Sequence, residues 1–422
     1  MHLLGLNITE LLQLLWRGLF PCDADDSVDS WDWAVLKGEV WKKHGKAVAD
    51  ATPYLPGSFD RPPRNPAEKI SSGYKAQEFI TWIFGLGPAL LRKVLPRPYW
   101  KNYCKLVRGV RLIDQRHITE PQLIEAHRLL IDFVDGFEDL YYQRKSSRLH
   151  FCRQSLHALP HACPEVLRLG PGAFFTQFTM ERTIGNLGEE IKQPSNPYAN
   201  LSQRGVRRCQ VNALKVMAPE IAPEPSRIPQ GAIDLGGGFV LLRGRDEFMR
   251  TIDGPQGQTI RAWMEEQEGD IAEVNWLPRV YRWQRLRLPN GQNARSKWQE
   301  GRKPINKVRM SRNVKFVSKQ NEINYAEVQF FFQADIKGLR DTYALISVYS
   351  DPDAELLEDS ENTVWLCTYR GLDALKVIRV KRILSVVGMV PLDDVGELFV
   401  VEKMGLELDA MGGAEDDMEE ID

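Results

Sequence analysis

The stretch APEIAPEPSRIPQ, residues 218–230, divides the chain, because it puts four prolines between positions 219 and 229. Proline has no amide N–H and a fixed φ, so neither a helix interior nor a central strand runs through such a segment. Before it, apolar residues recur at helical spacing. They fall at positions 3, 4, 6, 8, 11, 12, 15 and 16, and again at Leu123, Leu130, Phe133, Phe137 and Tyr141 on a helix predicted to run to about residue 144. Thr119-Glu-Pro-Gln opens that second helix as a capping box, with Pro121 in the first turn. After the prolines the pattern changes. AEVQFFFQADI, TYALISVYS, TVWLCTYRG and LKVIRVKRILSVVGMV alternate or run apolar over strand lengths. The expected class is α+β: a helical region, then a β-rich domain formed as a curled sheet or small barrel.

Finer divisions follow. Residues 1–110 are read as helical with one exception, TPYLPGSFDRPPRNP at 52–66, whose five prolines predict an extended surface segment. Breaks are also expected at GLGP and LPRP. Residues 111–218 hold further helices, among them 174–192 and a basic helix at 199–217. Residues 219–230 are the linker and 231–405 the β-rich domain, in which DLGGGF reads as a hairpin turn. The tail, 406–422, ends in GAEDDMEEID, six acids in ten residues, and is expected to be disordered.

The formal net charge of −2 gives no global attraction to nucleic acid or membrane, so any such attraction has to be local. Six scattered cysteines predict reduced thiols and an intracellular setting. The N-terminus has no basic leader and is not expected to be a signal peptide. No apolar run reaches about 18 residues, so no membrane partner is expected.

Three constellations stand out. In FTMERTIGNLGEEI, residues 178–191, Met180, Ile184, Leu187 and Ile191 share one helical face, with Glu181, Gly185 and Gly188 beside it. Two glycines in a helix cost roughly 1 kcal/mol each against alanine, which implies close approach by a neighbouring backbone or a phosphodiester. Tight packing beside a surface glutamate accounts for the same pattern. Cys152, His157, His161 and Cys163 lie close in sequence, but their spacing matches no standard zinc finger, and they are expected not to converge. Between 295 and 319 there are nine cations, Arg295, Lys297, Arg302, Lys303, Lys307, Arg309, Arg312, Lys315 and Lys319, against the single acid Glu300. Trp298 and Phe316 are interleaved. This density suits phosphate contacts and base stacking, and it equally suits a solvated basic loop.

Several long motifs, FDRPPRNPAEKISSGYKAQEFI, KLVRGVRLIDQR, LYYQRKSSRLHFCRQSLHALPH, FTMERTIGNLGEEIKQPSNPYANL and VVGMVPL with FVVEKMGLELD, resemble the C-terminal part of Plavaka-type transposases, fungal relatives of the CACTA transposases. The resemblance implies the DDE class, in which an RNase H-like core holds two divalent ions, Mg²⁺ in the intact enzyme, on two aspartates and a glutamate. A large helical insertion separates the second aspartate from the glutamate. The family's M-E-R-x-x-G falls on Met180, Glu181, Arg182 and Gly185, which implies that Glu181 is the third carboxylate and that Arg182 beside it contacts nucleic acid. The Met-His that heads the insertion falls on Met1 and His2. The two aspartates and the RNase H strands are therefore expected upstream, and this chain alone is expected to be inactive and to need no cofactor. The partners implied are DNA and an N-terminal transposase piece acting in trans, with no small-molecule substrate, and the location implied is the nucleus. The other reading open at this point is a domesticated DNA-binding or chromatin-associated module.

Overall fold

A computed structural model describes residues 2–191, 195–218, 220, 228–269, 276–392 and 396–405. The acidic tail and most of the proline linker lie outside the described residues. The order is α then β. Helices Thr9–Trp16, Gly38–Asp50, Arg97–Ile113, Glu120–Phe137, Phe178–Glu189 and Pro197–Met217 precede antiparallel sheets.

The helical body is organised by the antiparallel pair Arg97–Ile113 and Glu120–Phe137. Their crossing needs small residues. A Cβ on Gly109 would lie 2.9 Å from the Leu130 side chain, and one on Gly136 would lie 2.3 Å from Asn102 Oδ1. Asn102 Nδ2 donates to the Phe133 carbonyl at 3.1 Å, which fixes the register of the pair. The Thr119 N–H donates to Gln122 Oε1 at 3.0 Å, as the capping box predicts. Leu130, Phe133, Phe137 and Tyr141 are buried on the expected face, and Ala126 joins them, while Leu123 is only half-buried.

The break expected at GLGP does not occur. The chain stays helical through Ala76–Ile80, Thr81–Leu86 and Gly87–Leu90. Pro88 brings no N–H, so carbonyls of the preceding turn need other donors. They are supplied from Arg97–Ile113: the Tyr103 hydroxyl donates to Ile83, Arg111 Nε to Phe84 at 2.8 Å, and Arg111 Nη2 to Gly85 at 3.2 Å.

In the β half, strands Asn313–Val317, Ile323–Ile336, Leu339–Val348 and Leu375–Arg379 pair in succession, and Ile383–Val386 returns to Asn313–Val317. A three-residue 3₁₀ turn, Val380–Arg382, joins the two edge strands, so the sheet is strongly curled. Among the described residues these edges share no ladder, and the expected barrel does not close. Lys337 and Gly338, both at positive φ, form the two-residue hairpin turn before Leu339. A bulge between Val328 and Phe330 flips the alternation. Ala326, Val328 and Phe331 therefore face a core shared with Leu241, Trp283 and Leu286. Phe330 and Phe332 face a helix, Gly254–Glu268, through Ile260 and Trp263. Two further strands, Ile233–Asp234 and Val240–Leu241, pair across the DLGGGF turn as expected.

The 52–66 segment corrects the sequence reading. It is not an extended surface segment: short 3₁₀ turns form at Thr52–Tyr54 and Gly57–Phe59, and Leu55 is 0% and Phe59 3% exposed. Its backbone is the seam between the halves. Arg309 donates to the carbonyls of Leu55 at 3.0 Å, Pro56 at 2.6 Å and Asp60 at 2.7 Å, and the Met310 N–H donates to Pro53 O at 2.9 Å. In return Arg111 Nη1, from the helical half, donates to Thr363 O at 2.9 Å. Apolar burial is continuous there, since Leu356, Val364, Leu366, Phe399 and Val401 join the core of the helices.

Two outcomes follow for stability. Arg111→Met leaves the Phe84, Gly85 and Thr363 carbonyls without this donor, and should lower unfolding free energy by about 3 kcal/mol or more in a denaturant titration. His44, 4% exposed between Trp41 and Trp82, accepts from Trp82 Nε1 at 2.9 Å, and burial lowers its pKa to about 4. The folded state therefore disfavours the imidazolium. The stability that this confers is complete above the ordinary value of 6.5 and is lost as pH falls toward 4. Wild type should lose about 3 kcal/mol across that window relative to His44→Gln.

Candidate functional site

Glu181 lies in the first turn of helix Phe178–Glu189, and it is exposed, as is Arg182. The residue that caps this helix, Gln177, meets the other end of the sequence: His2 Nδ1 lies 2.7 Å from Gln177 Oε1. The motif remnant His2 is thus held, across 175 positions of chain, against Gln177, the residue that precedes the Glu181 helix. The helix turns back into Pro197–Met217, held by Glu190 to Arg208 at 2.6 Å and to Arg204 at 3.8 Å.

This hairpin departs from the expected packing. Met180 and Ile184 are each 56% exposed, and no described residue of either helix is buried. A Cβ on Gly185 or Gly188 would meet nothing within 4 Å. Neither glycine is required by a neighbour among the described residues. Among the described residues, no three or more His, Cys, Asp or Glu side chains gather around a common point for a metal ion there.

The cations of 295–319 separate into two groups. Lys297 donates to Glu327 Oε2 at 2.8 Å and Arg312 to Glu327 Oε1 at 2.7 Å, while the Tyr369 hydroxyl adds a third bond at 2.5 Å. Burial pushes the Glu327 carboxyl up, but these donors outweigh it and hold the pKa below the ordinary value. Lys315 binds Glu402 at 2.9 Å, Lys319 binds Glu266 at 2.9 Å, and Arg309 is committed to the seam. Arg295 is half-buried in strand Asn293–Arg295. Arg302, Lys303 and Lys307 form the exposed remainder, around the turn at Ile305–Lys307. The two aromatics are not stacking platforms. Phe316 is 3% exposed in the β core, and Trp298 is covered by the Arg282 guanidinium at 4.4 Å. Sequence counting missed these assignments because the neutralising acids, Glu327 and Glu402, lie outside the segment.

The Cys152, His157, His161 and Cys163 quartet also divides. The two imidazoles meet, Nε2 to Nε2 at 3.3 Å. Cys163 is 3% exposed within the helical core, where burial pushes its thiol up to about 11. No protein-family model, curated protein or solved structure matches this chain.

The split among the cations can be tested. Arg309→Gln should lower stability by at least about 1 kcal/mol. The triple exchange of Arg302, Lys303 and Lys307 to Gln should stay within about 0.5 kcal/mol of wild type, measured by urea unfolding.

Proposed function

We propose that this chain is the glutamate-bearing part of a DDE-type DNA transposase, that it does not cut DNA by itself, and that it holds DNA through exposed cations. The contact of His2 with Gln177 carries the reading. In the family that the sequence resembles, the Met-His motif follows the second catalytic aspartate and heads the helical insertion. The glutamate returns at the insertion's end. A fold that sets His2 against the cap of the Glu181 helix suits a core whose second and third carboxylates are neighbours. On this reading, most of residues 3–176 is the insertion, and Phe178–Glu189 belongs to the last helices of an RNase H-like core.

Two-metal phosphoryl transfer needs ions about 3.5–4 Å apart, bridged by shared carboxylates. Mg²⁺ keeps its waters unless several oxygens converge on it. Glu181 alone supplies one carboxylate on an exposed helix, which explains the proposed inactivity. The upstream aspartates would complete the site and bring in Mg²⁺. Binding without cleavage would fall to Arg302, Lys303 and Lys307, and to Arg207 and Lys215 on Pro197–Met217, a helix with no acidic residue.

Expected results are these. The chain alone gives no Mg²⁺-dependent strand cleavage. Supplied in trans with a polypeptide carrying the two aspartates, it gives cleavage that Glu181→Gln abolishes. Cleavage by the chain alone that disappears in Glu181→Gln would overturn the inactivity. Complemented cleavage indifferent to that exchange would remove Glu181 from the site. DNA affinity should fall with salt at about −0.9 in log–log slope per phosphate contacted. Neutralising Arg302, Lys303 and Lys307 together should flatten that slope equally for unrelated sequences.

A further inference from the structure

The His157 and His161 pair is used neither by the fold nor by the proposed reaction. Both rings are exposed, and they sit where helix Gln154–Ala158 ends and the chain turns at Pro160 into Ala162–Leu169. Their Nε2 atoms are 3.3 Å apart, with ring centroids at 4.9 Å and planes at 67°. A hydrogen bond between two neutral imidazoles in open water gains little over hydration by solvent, so it gives weak reason for the arrangement. The separation matches a different demand. Two Zn–N bonds of about 2.0–2.1 Å set at the tetrahedral angle hold their nitrogens about 3.3–3.4 Å apart.

We propose that His157 and His161 bind one Zn²⁺ through their Nε2 atoms, with the remaining coordination positions open to water. The four-residue spacing, carried through the turn at Pro160, brings the two rings together with their Nε2 atoms facing each other at 3.3 Å. Glu165 follows at the same spacing but is turned to Arg168 at 3.1 Å, so it is not a ligand in this arrangement. Cys163 faces the helical core, and this separates the site from the four-residue cluster suggested by sequence order. The site therefore has two protein ligands, and a third donor can reach the ion from outside the chain. It stands apart from the transposase reading and survives or fails without it.

The test uses the full chain and Zn²⁺ alone, followed by equilibrium dialysis and calorimetry. One ion should bind per chain. His157→Gln and His161→Gln should each reduce binding to the background of the doubly exchanged protein, with thermal unfolding unchanged because both side chains are exposed. Cys152→Ser and Cys163→Ala should leave the stoichiometry intact. Co²⁺ in place of Zn²⁺ should give a ligand-field spectrum with no thiolate charge-transfer band. Absence of binding, or binding indifferent to both histidine exchanges, would overturn the proposal. A thiolate band, or binding lost in a Cys163→Ala protein that melts like wild type, would replace the two-histidine site with one that includes sulfur.

Discussion

Arginine-to-carbonyl hydrogen bonds across the seam organise this chain. Arg111 reaches from the helical half to Thr363, and Arg309 reaches from the β half to Leu55, Pro56 and Asp60. Both act where proline has created the need. Pro88 removes a donor from a buried helical run, and the five prolines of 52–66 leave that segment short of its own N–H donors, so that within it only short turns such as Phe59 N–H to Pro56 O form. A buried carbonyl without a donor costs about 1–3 kcal/mol, and a guanidinium offers five N–H groups in a fixed plane. One arginine can therefore serve several carbonyls from different segments. The apolar core then closes over the seam, with Leu366, Phe399 and Val401 packed among the helical side chains.

That use of arginine bears directly on function. A count of cations along 295–319 suggests a binding strip, yet most of the strip is spent inside the molecule. Glu327 gathers Lys297 and Arg312, and Glu402 takes Lys315. Formal charge along a sequence measures attraction for phosphate only where the charges stay in solvent. Here the solvated remainder is a short turn together with Lys319, which is paired with Glu266 at the surface.

Much of the fold was legible in the sequence because its signals are local. The Thr119 capping box, the DLGGGF hairpin and the buried helical face from Leu130 to Tyr141 each declare themselves within a few residues. What was hidden depends on contacts distant in sequence. Prolines at 52–66 look like a surface segment until Arg309 and the core are brought to them. The alternation in AEVQFFFQADI gives no sign that an extra residue at Gln329 sends Val328 and Phe330 to opposite faces. Helix Gly254–Glu268 was overlooked inside a β-rich stretch, although Asp253-Gly-Pro is a reasonable helix opening. At the candidate site Glu181 was singled out by resemblance alone, whereas the contact of His2 with Gln177 was not foreseen, since nothing in the chain between them encodes it locally.

The exposed hairpin links order to chemistry. A helix in water gains most of its stability from packing an apolar face, and Phe178–Glu189 packs little while carrying Gly185 and Gly188. An apolar stripe at Met180 and Ile184, beside two glycines that no described neighbour requires, is costly in isolation. It becomes economical when a layer covers it closely, because glycine then permits approach and the stripe is buried. In an RNase H-like core that layer is the sheet that carries the aspartates. The same contact that would stabilise the helix would bring Glu181 to the carboxylates needed to displace water from Mg²⁺. On the proposed reading, completing the packing of the Glu181 helix and completing a two-metal site would be one structural event.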